Sequence, residues 1–174
     1  MSGNDPLLGA RLALALLEHL AGHSPHESGA GRVVLVSSAR PREGRSFVAG
    51  LLHAALRAQG GAEPALVDGA ALNRLLGGEA VPQPALLFQP AAVQRALRSL
   101  RGQYALALVD GPPLAGCGAL AREADAVLLV VDAHATPRRS IERALADARI
   151  EPARLAGVVL NLREAALPRW LGAD

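Results

Sequence analysis

A chain of 174 residues with 51% hydrophobic and 20% charged side chains is long enough for one domain with a full core, and too apolar to be disordered. Its formal net charge is +2, its arginines are interleaved with acids, and no basic run alternates with aromatics, so nucleic-acid binding has little support. A single cysteine, Cys117, excludes an intramolecular disulfide and fits a reducing compartment.

Leu7–Gly22 reads as a first helix, rich in Leu and Ala and stopped by glycine. Its apolar stretch holds Arg11, Glu18 and His19 and is too short and too charged to span a bilayer. With no basic start, apolar run and cleavage site before it, a cytoplasmic location is expected. Residues 23–31 form a polar linker with Pro25. Arg32–Ser38 suits a buried parallel strand. Ser46–Gln59 is predicted helical, with Phe47, Leu51, Leu52, Ala55 and Leu56 on one apolar side, and Gly60-Gly61 ends it. Ala65–Asp68 is a short strand, Leu72–Leu76 a helical turn, and Gly77–Pro90 a loop. Then come a helix over Ala91–Arg101, strands over Tyr104–Asp110 and Ala126–Asp132, a helix over Pro137–Arg149 and a strand over Leu155–Asn161.

Strands alternating with helices imply an α/β fold, a mostly parallel sheet with helices on both faces in a Rossmann-like three-layer arrangement. Ligands of such folds sit beyond the carboxyl ends of the strands. Ser37, Ser38, Asp68, Asp110, Asp132 and Asn161 all fall there.

Residues 33–46 read as strand, loop and helix start, closing on Gly44-Arg45-Ser46. A phosphate-binding loop, G-x-x-x-x-G-K-[ST], would close on Gly-Lys-Ser. Lysine is absent from the whole chain: all 18 Lys+Arg residues are arginine. A GC-rich genome accounts for such a bias, and so at this position does loss of a phosphate-binding cation; the residues leave both open. Arg45 retains charge but is a planar fork on a longer stem. Loss of one charge-assisted contact costs about 1.5–3 kcal/mol of binding. Backbone amides and the helix N-terminus at Ser46 would still attract an anion; otherwise the segment is a tight turn that binds nothing.

Residues 34–46, Ala65-Leu66-Val67-Asp68 and the run 104–114 with Asp110-Gly111-Pro112-Pro113 occur in that order. Residues 124–131 (Ala-Asp-Ala-Val-Leu-Leu-Val-Val) and 156–161 (Ala-Gly-Val-Val-Leu-Asn) follow. Together they resemble the cytoplasmic ATPase domain of bacterial tyrosine autokinases of capsule and exopolysaccharide export, which belongs with partition-type (MinD/ParA-like) P-loop ATPases. The resemblance implies a P-loop NTPase-like domain over 32–162, an N-terminal helix and linker over 1–31, and a tail over 163–174. It implies a Mg-ATP or Mg-ADP site in which Gly44, Arg45 and Ser46 meet phosphates and Ser46 and Asp110 hold magnesium. Asp68 and Asp110 would serve catalysis, and Asn161 would bond the adenine edge. Read without the resemblance, Asp68 equally caps a helical turn and Asn161 equally bonds its own backbone, while for Asp110 the alternative is a plain strand-ending aspartate.

Departures from the family pattern run in one direction. Arg42 stands where the family has glycine, which disfavours a tight wrap, and Arg45 stands at the lysine. Asp68-Gly69-Ala70-Ala71-Leu72 keeps the first acid of the second motif and lacks the second acid and the arginine. Gly118 replaces a further aspartate, Tyr104 is the one tyrosine, and Arg11 with Glu18 do not match the assembly motif of the first helix. The expectation is a degenerate ATPase-like or tyrosine-kinase-like accessory protein of exopolysaccharide or capsule synthesis and export. It would act through a protein partner, peripheral to the inner membrane, with weak or absent nucleotide turnover. The alternative is an active Mg-ATP-dependent ATPase or kinase. The first helix and the Leu167–Leu171 segment, which contains Trp170, are the expected partner surfaces. His19, His23 and His26 read as a solvated helix end and not a metal site, Cys117 as an inert thiol, and Pro137 as the first residue of its helix.

Overall fold

Five β-rich runs become strands in the computed structural model, which describes residues 6–23, 31–78 and 83–161. The order is α1 (Pro6–Ala21), β1 (Arg32–Ser38), α2 (Arg45–Ala58), β2 (Ala65–Val67), α3 (Gly69–Leu75), α4 (Pro90–Gln103), β3 (Leu106–Asp110), α5 (Gly118–Glu123), β4 (Ala126–Asp132), α6 (Arg138–Ala148) and β5 (Leu155–Asn161). All pairings are parallel, in the order β2-β3-β1-β4-β5. The expected mostly parallel α/β sheet is therefore wholly parallel.

Alternation of side chains along each strand splits the core into two layers. Val34, Val36, Leu108, Leu128, Val130 and Val159 face α1 and α2, meeting Ala13, Leu16, Val48 and Leu52. Val33, Leu35, Val109, Val127 and Leu129 face the other side, against α3, α4, α5 and α6, with Leu72, Val93, Leu97 and Leu120 among the buried partners. Leucine, valine and alanine make up nearly all of it, as the low aromatic content requires.

Several expectations are corrected locally. Phe47 is exposed, because Val48 and Ala49 take the inner face of α2 beside Leu51, Leu52 and Leu56. A 3-10 turn, Pro84–Phe88, occupies part of the Gly/Pro loop. Helix α5 was not expected; its six residues are too few for a helical period to show. Pro137 caps α6 instead of opening it. Tyr104 precedes β3 and is partly exposed. His26, Trp170 and Leu167–Leu171 lie outside the described residues. No described helix is long and apolar enough to cross a membrane.

A buried ion pair fixes the amino end of the sheet. Asp125 Oδ2 accepts from Arg101 Nε at 3.0 Å and from the Val33 amide at 2.8 Å. Arg101 Nη2 donates to the Glu123 carbonyl at 2.7 Å, and the Asp125 amide returns a bond to the Val33 carbonyl. Both side chains are almost fully buried. The pair thus ties the end of α4 to the starts of β1 and β4. Removing one member strands a buried charge, so Asp125→Ala should lower the unfolding free energy by about 3–5 kcal/mol in urea titration.

Candidate functional site

The strand order brings the carboxyl ends of β2, β3, β1, β4 and β5 to one edge, which sets Asp68, Asp110, Ser37, Ser38, Asp132 and Asn161 along it. Between β1 and α2 the chain wraps into a tight loop. Gly44, the N-cap of α2, has φ 83° and Arg42 has φ 65°. Arg42 therefore does not prevent the wrap: it adopts the left-handed conformation itself, at a cost of roughly 1–2 kcal/mol.

Glu43 holds this conformation, a role that sequence reasoning missed. Its buried carboxylate accepts from the Arg40 amide at 2.7 Å, from the Asp132 amide at 3.4 Å and from the Thr136 hydroxyl. The loop is thereby fastened to the end of β4. Ser38 Oγ donates to the Arg40 carbonyl at 2.7 Å, and Ser37 Oγ to the Pro112 carbonyl at 2.6 Å. Asp132 is held below the usual carboxylate range, first by the amides of His134 and Ala135 and also by nearby positive charge.

Asn161 reaches the same loop from β5. Its Nδ2 donates to the Glu43 carbonyl at 2.9 Å. The bond is neither to its own backbone nor to an open pocket, and it lays the side chain across the loop. A Cβ on Gly44 would sit 2.0 Å from Asn161 Nδ2. Gly44 is thus required twice, by its φ and by the crossing amide.

Arg45, the first residue of α2, turns to the opposite side. Its Nε donates to Asp110 Oδ1 at 3.2 Å, with side-chain exposures of 27% and 16%. Ser46, next to it, is exposed. Asp68 follows β2 beside Asp110, by the register Val67↔Val109, but its Oδ1 accepts from the Ala71 amide at 2.8 Å. It therefore caps α3. Gly44, Arg45, Ser46, Asp110 and Asn161 are brought around one loop, whereas Asp68 is turned into its own helix. Cys117 is buried near Ser37, and burial pushes its thiol up to about 11, against smaller opposing effects of the Ser37 hydrogen bond and the Arg45 charge. An inert thiol is the chemical consequence. His19 and His23 stack at 4.3 Å, and among the described residues no cluster of His, Cys, Asp and Glu could hold a metal.

The geometry tests the implied Mg-nucleotide in two parts. The loop amides, Gly44 and the N-terminus of the 14-residue α2, with no acid in its first turn, fit an anion. The magnesium corner fits poorly, because the carboxylate that would hold the ion's water shell is already ion-paired to Arg45.

A five-stranded, wholly parallel sheet with a glycine-closed loop between its central strand and the following helix places the chain in the doubly wound α/β class. Solved structures with this fold include three tyrosine kinase domains. The chain is similar to the kinase domain of Escherichia coli tyrosine kinase ETK at TM-score 0.63 and 18% identity, over 78% of this chain and 70% of that one. Against the BceF tyrosine kinase domain the values are 0.64 and 19%, over 89% and 74%. Against the VpsO kinase domain they are 0.65 and 21%, over 91% and 97%. At these identities the likeness is one of fold. No protein-family model matches the chain, and no curated protein matches it in sequence.

Gly44→Ala should cost about 1–3 kcal/mol, from backbone strain and the collision with Asn161. Asn161→Ala alone removes one hydrogen bond, at about 0.5–1.5 kcal/mol. In the double variant the collision is gone, so its loss, measured by denaturant unfolding, should fall short of the sum of the two.

Proposed function

We propose that this chain is a degenerate tyrosine-kinase-like P-loop protein that acts as an accessory factor in exopolysaccharide or capsule synthesis and export, through contact with a protein partner and with little or no nucleotide turnover. The Arg45–Asp110 ion pair carries the reading. A P-loop ATPase needs its loop cation on the phosphates and its strand-end carboxylate on hydrated magnesium. Here each group takes the other as its partner. Phosphoryl transfer depends on accurate placement of charge, and both required charges are turned away from it. Asp68 is likewise committed to a helix cap.

Partner contact is proposed through the outward side of α1, where Leu7, Leu14 and Leu17 are exposed, and through Leu167–Leu171. The fold shared with tyrosine kinase domains supports the setting. One observation favours the second reading, an active Mg-ATP enzyme using Ser46, Asp110 and Asn161: the loop keeps its left-handed Gly44 and hence its wrap.

Titration with Mg-ATP and Mg-ADP, followed by thermal unfolding and phosphate release, separates the two. Ligand at a hundred times its Kd stabilises by about 2.7 kcal/mol, a readily measured shift. The expected result is no shift and no phosphate release at millimolar nucleotide. Arg45→Lys should bring back a shift by freeing the carboxylate from the bulky fork. Turnover abolished by Asp110→Ala would overturn the accessory reading.

A further inference from the structure

A cavity of about 480 Å³ opens beside the ion pair, on the β2/β3 side of the loop and away from Asn161 on β5. Its walls include Leu72, Leu76, Leu87 and Phe88, from α3 with its C-cap and from the 3-10 turn; Asn73 and Gln83 also line it, and its charged end is Arg45 with Asp110. Such a volume falls within the roughly 300–1,000 Å³ of small-molecule sites, which combine apolar walls with few polar groups. We propose that this cavity binds a medium-chain aliphatic anion, a carboxylate or a phosphate monoester, with the alkyl chain on the leucine wall and the headgroup on Arg45.

Charge complementarity selects the headgroup. Asp110 engages only Nε of Arg45, so the terminal nitrogens of the guanidinium have no protein partner among the described residues. A planar fork suits carboxylate and phosphate equally. The N-terminus of α2 adds positive potential at the same place. Glu43 faces β4, so Asp110 is the carboxylate at this end, and it directs an anion to the far side of the guanidinium. The walls select the body. Three leucines and one exposed phenylalanine offer no aromatic pair to sandwich a ring, whereas an alkyl chain needs only apolar area.

Octanoate, octyl phosphate and 1-octanol titrated into the full chain by calorimetry, without nucleotide or magnesium, test the proposal independently of the nucleotide reading. Saturable one-to-one binding is expected, with at least one anion about tenfold tighter than octanol, the worth of one charge-assisted contact. The tighter anion identifies the headgroup. Arg45→Ala should abolish the preference for anions over octanol. Phe88→Asp, at an exposed position, should keep the fold and weaken both anions by at least about fivefold. Failure of both anions to saturate, octanol binding as tightly as either, or Phe88→Asp without effect would each overturn the proposal. Should Arg45→Ala not fold, the octanol comparison and Phe88→Asp decide.

Discussion

Arg45 and Asp110 join the first residue of α2 to the last residue of β3, across the opening where the loop after β1 meets the sheet. Attraction between unit charges 4 Å apart is about 4 kcal/mol at an effective dielectric of 20, before the desolvation of either group is set against it. A magnesium ion seeking Asp110 must displace this contact, and a phosphate seeking Arg45 must draw the fork away from it. The pair therefore governs both chemical arms of the site at once. It also sets what the neighbouring cavity meets at its charged end, a guanidinium bonded to Asp110 through Nε.

The loop depends on a second carboxylate. Glu43 collects an amide from its own loop, an amide from the end of β4 and the Thr136 hydroxyl, while its carbonyl takes the Asn161 amide from β5. Two residues in the left-handed region, one of them an arginine, are tolerated because this network determines the conformation from several sides. The wrap that usually surrounds phosphate is consequently maintained by the protein's own contacts. Preservation of its shape is then no measure of nucleotide affinity, and shape and chemistry have to be judged separately in this chain.

Much of the fold was legible because buried parallel strands read as unbroken apolar runs closed by polar residues. The bounds of β1 and β4, and of the more exposed edge strand β5, agree with their sequence reading to the residue, and polar residues close all three at the carboxyl edge of the sheet. Short helices escaped: α5 spans less than two turns, and the helical moment of α2 was read from Phe47 when Val48 and Ala49 carry its inner face. The sequence marked Gly44, Arg45, Ser46, Asp110 and Asn161, which the fold brings around one loop, but not their bonding partners. Glu43 bonds residues 89 and 93 positions away, and Asn161 bonds across 118. No local pattern encodes such partners. Asp68 illustrates the opposite case, since its cap to Ala71 is three residues away and follows from ordinary helix-start chemistry.

The absent lysine gains a physical meaning from the shape of its replacement. An ammonium is a compact point charge at the end of its stem, so it sits either on phosphate or on a neighbouring carboxylate. A guanidinium can donate from Nε to one anion while its two terminal nitrogens face another. Arg45 uses the first kind of donor on Asp110, and no hydrogen bond from the second kind is formed among the described residues. Whatever placed an arginine at position 45, its Nε pairs with the strand-end carboxylate of Asp110. That pairing leaves Asp110 with a protein partner at the strand end, while Asp68, at the end of the neighbouring strand, is taken up by its helix cap.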